Sequence, residues 1–216
     1  MAEEMNIQSA FQSVMAANQD IPPKQKQVLA ASLALFAQQG FASTTTKQIA
    51  DRAGVAEGTV YRRYKTKDEL LAAILAPFMT EVLPQLIKEF AQDVVSQPYL
   101  TRHEMIESIV VDRMAFIQKN GAILRILIRE ISVRKDLRSQ FVSHAAPLLQ
   151  DNLFPVLDRL KARGELVDWP DSRIAQFMIG TMLTELFRRL LLSEDDAAAV
   201  SVIIEFLEKG LAPTTK

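Results

Sequence analysis

The sequence contains no cysteine. Its absence removes, together, a disulfide-stapled scaffold, a thiolate-bound zinc or iron–sulfur centre and a cysteine nucleophile. Histidine is nearly as scarce: His103 and His144 stand 41 residues apart, with no HExxH pair, GxSxG elbow, GxGxxG turn or Walker glycine loop anywhere in the chain. No metal, no cofactor and no enzymatic activity are expected. Only 7 glycines and 9 prolines occur in 216 residues, and Val/Thr alternation is rare, so strands and hairpins have little to form from. No window approaches the roughly 18 consecutive apolar residues of a membrane span, and residues 1–23 carry no lysine or arginine to begin a signal peptide. A soluble, cytoplasmic protein without a membrane partner is the expectation.

What remains is ordinary globular material, 49% hydrophobic and 24% charged, in a length that suits one or two compact units. The predicted class is all-α. The net charge of −1 hides an uneven division. Residues 1–23 hold three acids and no base. Residues 24–67 hold Lys24, Lys26, Lys47, Arg52, Arg62, Arg63, Lys65 and Lys67 against Asp51 and Glu57. The rest is mildly acidic. A basic head on an acidic body fits either a nucleic-acid partner or a solvated face, and spacing must separate the two.

Residues 1–23 place Ile7, Phe11 and Val14 at helical spacing before Pro22 and Pro23, and are expected as a mobile arm or loose helix. From Lys24 the set Val28, Leu29, Ser32, Leu35 and Phe36 predicts a helix ending at Gly40. Thr44, Thr45 and Thr46 are N-cap candidates for a second, KQIADRA, that stops at Gly54. EGTVYRRY makes a third, with Val60 and Tyr64 on one face. Three positions in this segment are sterically demanding and all are met: a small Ala50 at the crossing, a left-handed turn at Gly54, and an apolar plug at Val60. With Val60 and Tyr64 inward, Gly58, Thr59, Tyr61, Arg62 and Arg63 form a hydrogen-bonding face of a size that enters a major groove.

At these residues, FASTTTKQIADRAGVAEGTVYRRYKTKDEL, the chain resembles the DNA-binding head of the tetracycline-repressor-like (TetR) family of bacterial regulators. The likeness covers about Lys24 to Leu70. It implies a helix-turn-helix head over 24–66 and a ligand-binding and dimerisation domain over 67–216. It further implies a homodimer on a palindromic double-stranded operator, repression, and release by a small-molecule effector. Carried over by position, Thr59, Tyr61 and Arg63 touch phosphates and base edges, and Lys67 meets phosphate. Thr46, with Lys47, Gly58 and Lys65, completes the predicted DNA surface. Arg62 either donates bidentately to guanine or binds phosphate alone. Glu57 either accepts from cytosine or tilts away. A helical small-molecule-binding or scaffold protein that never reads DNA is the alternative.

Beyond residue 67 the pattern predicts long helices over about 67–92, 101–118, 121–132, 135–163 and up to Leu192, then a last helix opened by a box at Ser193 and Asp196 and ending near Gly210. Pro77 and Pro84 should kink or split the first, as a hinge or as a static bend. Polar residues on apolar stripes mark a pocket, namely Arg113 and His144, with Phe78, Met79, Met105, Met114, Phe116, Phe141 and Leu148 as candidate lining. A core histidine and an outward arginine are the plainer outcomes. The apolar stripes suggest a hydrophobic or aromatic effector. Phe177, Thr181, Met182, Phe187, Ile203, Ile204 and Leu207 on the last two helices are expected either as an intramolecular core or, from the resemblance, as a dimer face.

Overall fold

The structure, a computed structural model, describes residues 6–192 and 198–213, with the side chains of 190–192 left aside. The expected cap at Ser193 and Asp196 lies outside the described residues. Every regular element among the described residues is a helix, with no strand among them. The chain falls into two compact units, one of residues 1–86 and 122–141, the other of 87–121 and 142–216.

In the first unit the structure takes the helix rather than the mobile arm of the two expectations for residues 1–23. Residues Ile7–Ala17 form a helix, α1, capped by Asn6, whose side chain accepts from the Gln8 amide at 2.8 Å. Ile7, Phe11 and Met15 are buried on its inner face. Met15 rather than Val14 continues the stripe, because four-residue steps keep it over the same row. The helix packs on α2 (Pro23–Gln39) and on residues 78–82. α2 starts with Pro23 in its first turn, where a missing N–H costs nothing, and stops at Gly40 with φ 86°.

Of the three threonines, Thr45 caps α3 (Thr46–Ala53). It forms a reciprocal box with Gln48: the Gln48 amide donates to Thr45 Oγ1 at 3.2 Å and the Thr45 amide to Gln48 Oε1 at 2.8 Å. Gly54 then takes φ 64°, and α4 (Glu57–Arg63) follows. Thr66 caps α5 (Lys67–Pro77) by accepting from the Glu69 amide at 3.1 Å, with Asp68 and Glu69 in the favoured first turn.

The prolines do not split the next run. Pro77 is followed at once by a π turn, Phe78–Val82, then by α6 (Leu83–Phe90) and a second π turn, Ala91–Val95. The same sequence recurs after α8 (Lys135–Pro147), where a π turn at Leu148–Leu153 leads into α9 (Phe154–Ala162). The π turns at Phe78–Val82 and Leu148–Leu153 each lie between a pair of prolines, Pro77 and Pro84 or Pro147 and Pro155, and their i→i−5 bonds carry the helix through without ending it. Pro84 and Pro155 then sit in first turns, where proline is tolerated. The expected break before Gly121 is also absent, since α7 runs unbroken over Arg102–Val133. One interior glycine costs a helix about 1 kcal/mol, while apolar positions continue across it at Ile117, Ile123 and Leu127, all buried.

By length and composition Lys67–Val95 could cross a bilayer, with a mean hydropathy of 1.7 in its most apolar window. Half of that window is buried in the fold, where Leu70, Ile74 and Met79 belong to the core of the first unit. In the second unit Met105, Ile106, Leu157, Leu160 and Ile174 form the core, closed by α10 (Asp171–Leu192) against α9 and α11 (Ala199–Gly210).

Candidate nucleic-acid interface

The head is built around one close crossing. Ala50 and Ala53 of α3 and Val60 of α4 are buried, so two short helices approach without a bulky side chain between them. The left-handed Gly54 makes the turn, and the Val55 amide returns to the Ala50 carbonyl at 3.0 Å, closing α3. With Val60 inside, the opposite face of α4 is forced out. Gly58, Tyr61, Arg62 and Arg63 are exposed and Thr59 is half-buried, with 51% of Tyr61 open to solvent. Lys47 and Lys65 are exposed beside this face, and Thr46 is half-buried at the start of α3.

Two acids near the face are already engaged. Glu57 Oε1 accepts from Thr46 Oγ1 at 3.2 Å, so its carboxylate leans toward α3 rather than standing free. Glu69 accepts from the Lys65 amide at 2.9 Å. Arg52 donates to Gln38 at 3.1 Å, which ties α3 to α2.

Lys67 has a different environment from that of an exposed phosphate ligand. Its ammonium donates to the carbonyls of Phe41, Ala42 and Thr44 at 2.9, 3.1 and 3.1 Å and lies 4.9 Å from the centre of the Phe41 ring. An ammonium has three protons, so these carbonyls occupy all of them. Lys67 therefore fastens the first turn of α5 to the turn between α2 and α3. Phe41 is in turn packed edge-on to buried Phe36, 5.0 Å between ring centres. No local pattern marks this lysine's partners, which lie 23 to 26 residues upstream.

In the second unit the structure joins two of the predicted pocket residues and adds one. The Arg113 guanidinium stacks 3.7 Å from the Phe90 ring and 4.7 Å from the Phe116 ring, and its Nε donates to Asp112 at 2.7 Å. Burial pulls its pKa below the ordinary arginine value, against the opposing pull of Asp112. The arginine is thus held between aromatic faces rather than reaching outward to solvent. Met105 and Met114 are buried in the same unit, and His144 and Leu148 are half-buried there. Phe78 and Met79, both buried, and the exposed Phe141 belong to the first unit.

The last two helices divide their apolar residues between two faces. Met182, Ile203 and Leu207 are buried within the single chain, and Ile204 and Thr181 are half-buried. Exposed on the same helices are Phe177, Ile179, Leu183 and Phe187 of α10 and Val202 and Phe206 of α11. Trp169 extends that surface, its ring 5.7 Å from Phe177. Of the expected contact residues only Phe177 and Phe187 lie fully on this open side.

Known proteins fit this geometry. Residues 28–74 match the model of the bacterial regulatory proteins of the tetR family. A fatty acid metabolism regulator protein of Bacillus subtilis is 22% identical over 195 residues, 88% of this chain and 96% of its own. An HTH-type transcriptional repressor of Mycobacterium tuberculosis is 37% identical over 76 residues, 35% of this chain and 40% of its own. Among solved structures, the transcriptional regulator FadR from Bacillus subtilis in complex with stearoyl-CoA overlays with a TM-score of 0.60 at 17% identity, covering 85% of this chain and 97% of its own. That last likeness speaks to the fold alone.

Proposed function

We infer that this chain, a member of the tetR family of bacterial regulatory proteins, is a ligand-responsive transcriptional repressor that binds a palindromic operator as a homodimer in the cytoplasm. The observation that carries the reading is the α3–Gly54–α4 crossing, which buries Val60 and turns Thr59, Tyr61, Arg62 and Arg63 outward together. Arg62 reads a guanine edge, and Arg63, Thr59 and Lys47 hold phosphates. The exposed large apolar side chains of α10 and α11 support an isologous interface, since such a concentration of them on two neighbouring helices marks an association site. Two recognition helices related by a twofold axis then meet half-sites about one helical turn apart.

The effector is a small molecule with an apolar acyl or aryl part and an anionic group. Arg113 between Phe90 and Phe116 supports this class, offering a guanidinium among rings. A relative named for fatty acid metabolism and a neighbour solved with stearoyl-CoA point the same way. Effector binding alters DNA affinity through the run 67–95, in which Pro77 and Pro84 sit beside π turns. Selection of binding sites from random duplex DNA, at two salt concentrations, tests the reading. A palindrome must be enriched; no enrichment, with affinity collapsing at higher salt, overturns it. Release of the selected duplex by long-chain acyl-CoA, lost in Arg113→Gln, tests the effector class.

A further inference from the structure

Beside the base-reading face the head holds a basin of about 440 Å³, bounded by Lys24, Gln25 and Val28 at the start of α2 and by Thr59, Val60, Arg62, Arg63 and Tyr64 of α4 and its exit. Three cations line it and no carboxylate does. Two further observations say that it is made for an anion. The N-terminus of α2, a helix of 17 residues, opens at the basin and no side chain caps it, so its dipole is unanswered there. Tyr64, only 6% exposed, lines the same basin with a buried hydroxyl that makes no hydrogen bond of acceptable geometry, although Gln25 and Arg63 approach it. A buried hydroxyl without a partner is costly, and one on a residue that lines a basic cavity has a ligand-shaped explanation. Burial also raises the Tyr64 pKa, which keeps the proton available for donation.

The size of the basin narrows the class. It exceeds the roughly 30 Å³ share of a single water by far more than a bare phosphate needs. Its floor includes the buried aliphatic side chains of Val28 and Val60. A sugar carries an apolar face to such a floor while its phosphate faces the cations. We propose that the basin seats one phosphodiester and its deoxyribose, with Lys24 and Arg63 on the charge, Gln25 and the Tyr64 hydroxyl donating to phosphate oxygens, and the sugar over Val28 and Val60. Lys24, Gln25 and Tyr64 thereby join the DNA interface from outside the recognition face. They contribute affinity without base preference. This assignment rests on the reading of the head as DNA-binding, with the operator backbone as the source of the phosphate.

The test measures binding of the full-length protein to its selected duplex and to a scrambled one across a salt series. Lys24→Ala is expected to weaken both equally and to reduce the slope of log affinity against log salt by about 0.9, the value of one phosphate contact. Tyr64→Phe keeps the buried ring and removes only the hydroxyl, and is expected to weaken both duplexes roughly three- to tenfold with unchanged base preference. A thermal melt checks that each variant is folded. If both variants match wild type in affinity and slope while Arg62→Ala weakens binding, the basin is no phosphate seat and the DNA reading stands. If wild type itself selects no site, the DNA reading falls, and amide NMR titration with a deoxynucleoside monophosphate and with inorganic phosphate decides the source. Shifts at Gln25 and Tyr64 with the nucleotide, lost in Lys24→Ala, keep the seat and transfer it to free nucleotides; no shifts with either probe overturn it.

Discussion

The head and the last two helices are both made of short-range helix, yet they expose opposite materials. In α3 and α4 the buried residues are small or aliphatic, Ala50, Ala53 and Val60, and what is forced outward is cationic and aromatic-polar. In α10 and α11 the buried side already holds Ile174, Met178, Ile203 and Leu207, and further large apolar side chains stand outside, with 59% of Phe206 open. One face offers cations and hydrogen-bond donors, the other large apolar side chains. The difference lies in which residues occupy the outward positions, since both pairs of helices cross and pack by the same rules.

The largest effect that breaks this contrast comes from beneath the head. Phe11 is fully buried where α1 meets the first unit, and Phe11→Ala is expected to lower stability by about 3–5 kcal/mol in urea unfolding. A loss below about 0.5 kcal/mol, the range of surface substitutions, would return residues 7–17 to the status of an arm. On the DNA side, Arg62→Ala is expected to remove about 1–3 kcal/mol of discrimination at one base pair in competition binding, with the fold intact. On the apolar side, Phe187→Glu with Phe206→Glu is expected to convert the dimer to monomer in sedimentation, without loss of helicity by circular dichroism. Gly54→Ala places a Cβ at φ 64°, and should cost about 1–2 kcal/mol of stability while DNA contacts on α4 remain. The smallest change tests Lys67: Lys67→Ala should lower stability by about 1 kcal/mol yet leave the salt slope of DNA binding as it was, because its ammonium faces carbonyls. A slope reduced by about 0.9 would return Lys67 to the DNA surface.

How much could be read beforehand followed from the range of each interaction. Gly54, Ala50 and Val60 act over a few residues, so spacing alone reveals them. Among three adjacent threonines only the geometry of Gln48 selected Thr45. Lys67 and Arg113 were visible as charges but not as contacts, since Phe41 and Phe90 come from distant parts of the chain and no periodicity links them. Along α10 and α11 apolar periodicity located the helices and left their two apolar sides indistinguishable. Met182, Ile203 and Leu207 accordingly fell on the inner one and Ile179, Leu183, Val202 and Phe206 escaped notice. Proline rules anticipate a break at Pro77; the π turn that follows keeps the run helical instead, and no periodicity in the sequence announces it.

Each π turn amounts to one extra residue absorbed by a helix that otherwise keeps its course. Removing a single residue from Phe78–Val82 would let the segment close as ordinary helix with the downstream stripes facing as they do now, whereas removing one from the ordinary helix that follows would rotate everything after it by about 100°. The run could then be equally helical and yet present the wrong stripe downstream. Chain length in these three short stretches is therefore under looser constraint than in the ordinary helix around them, and natural relatives should lose one residue there more readily than within α7.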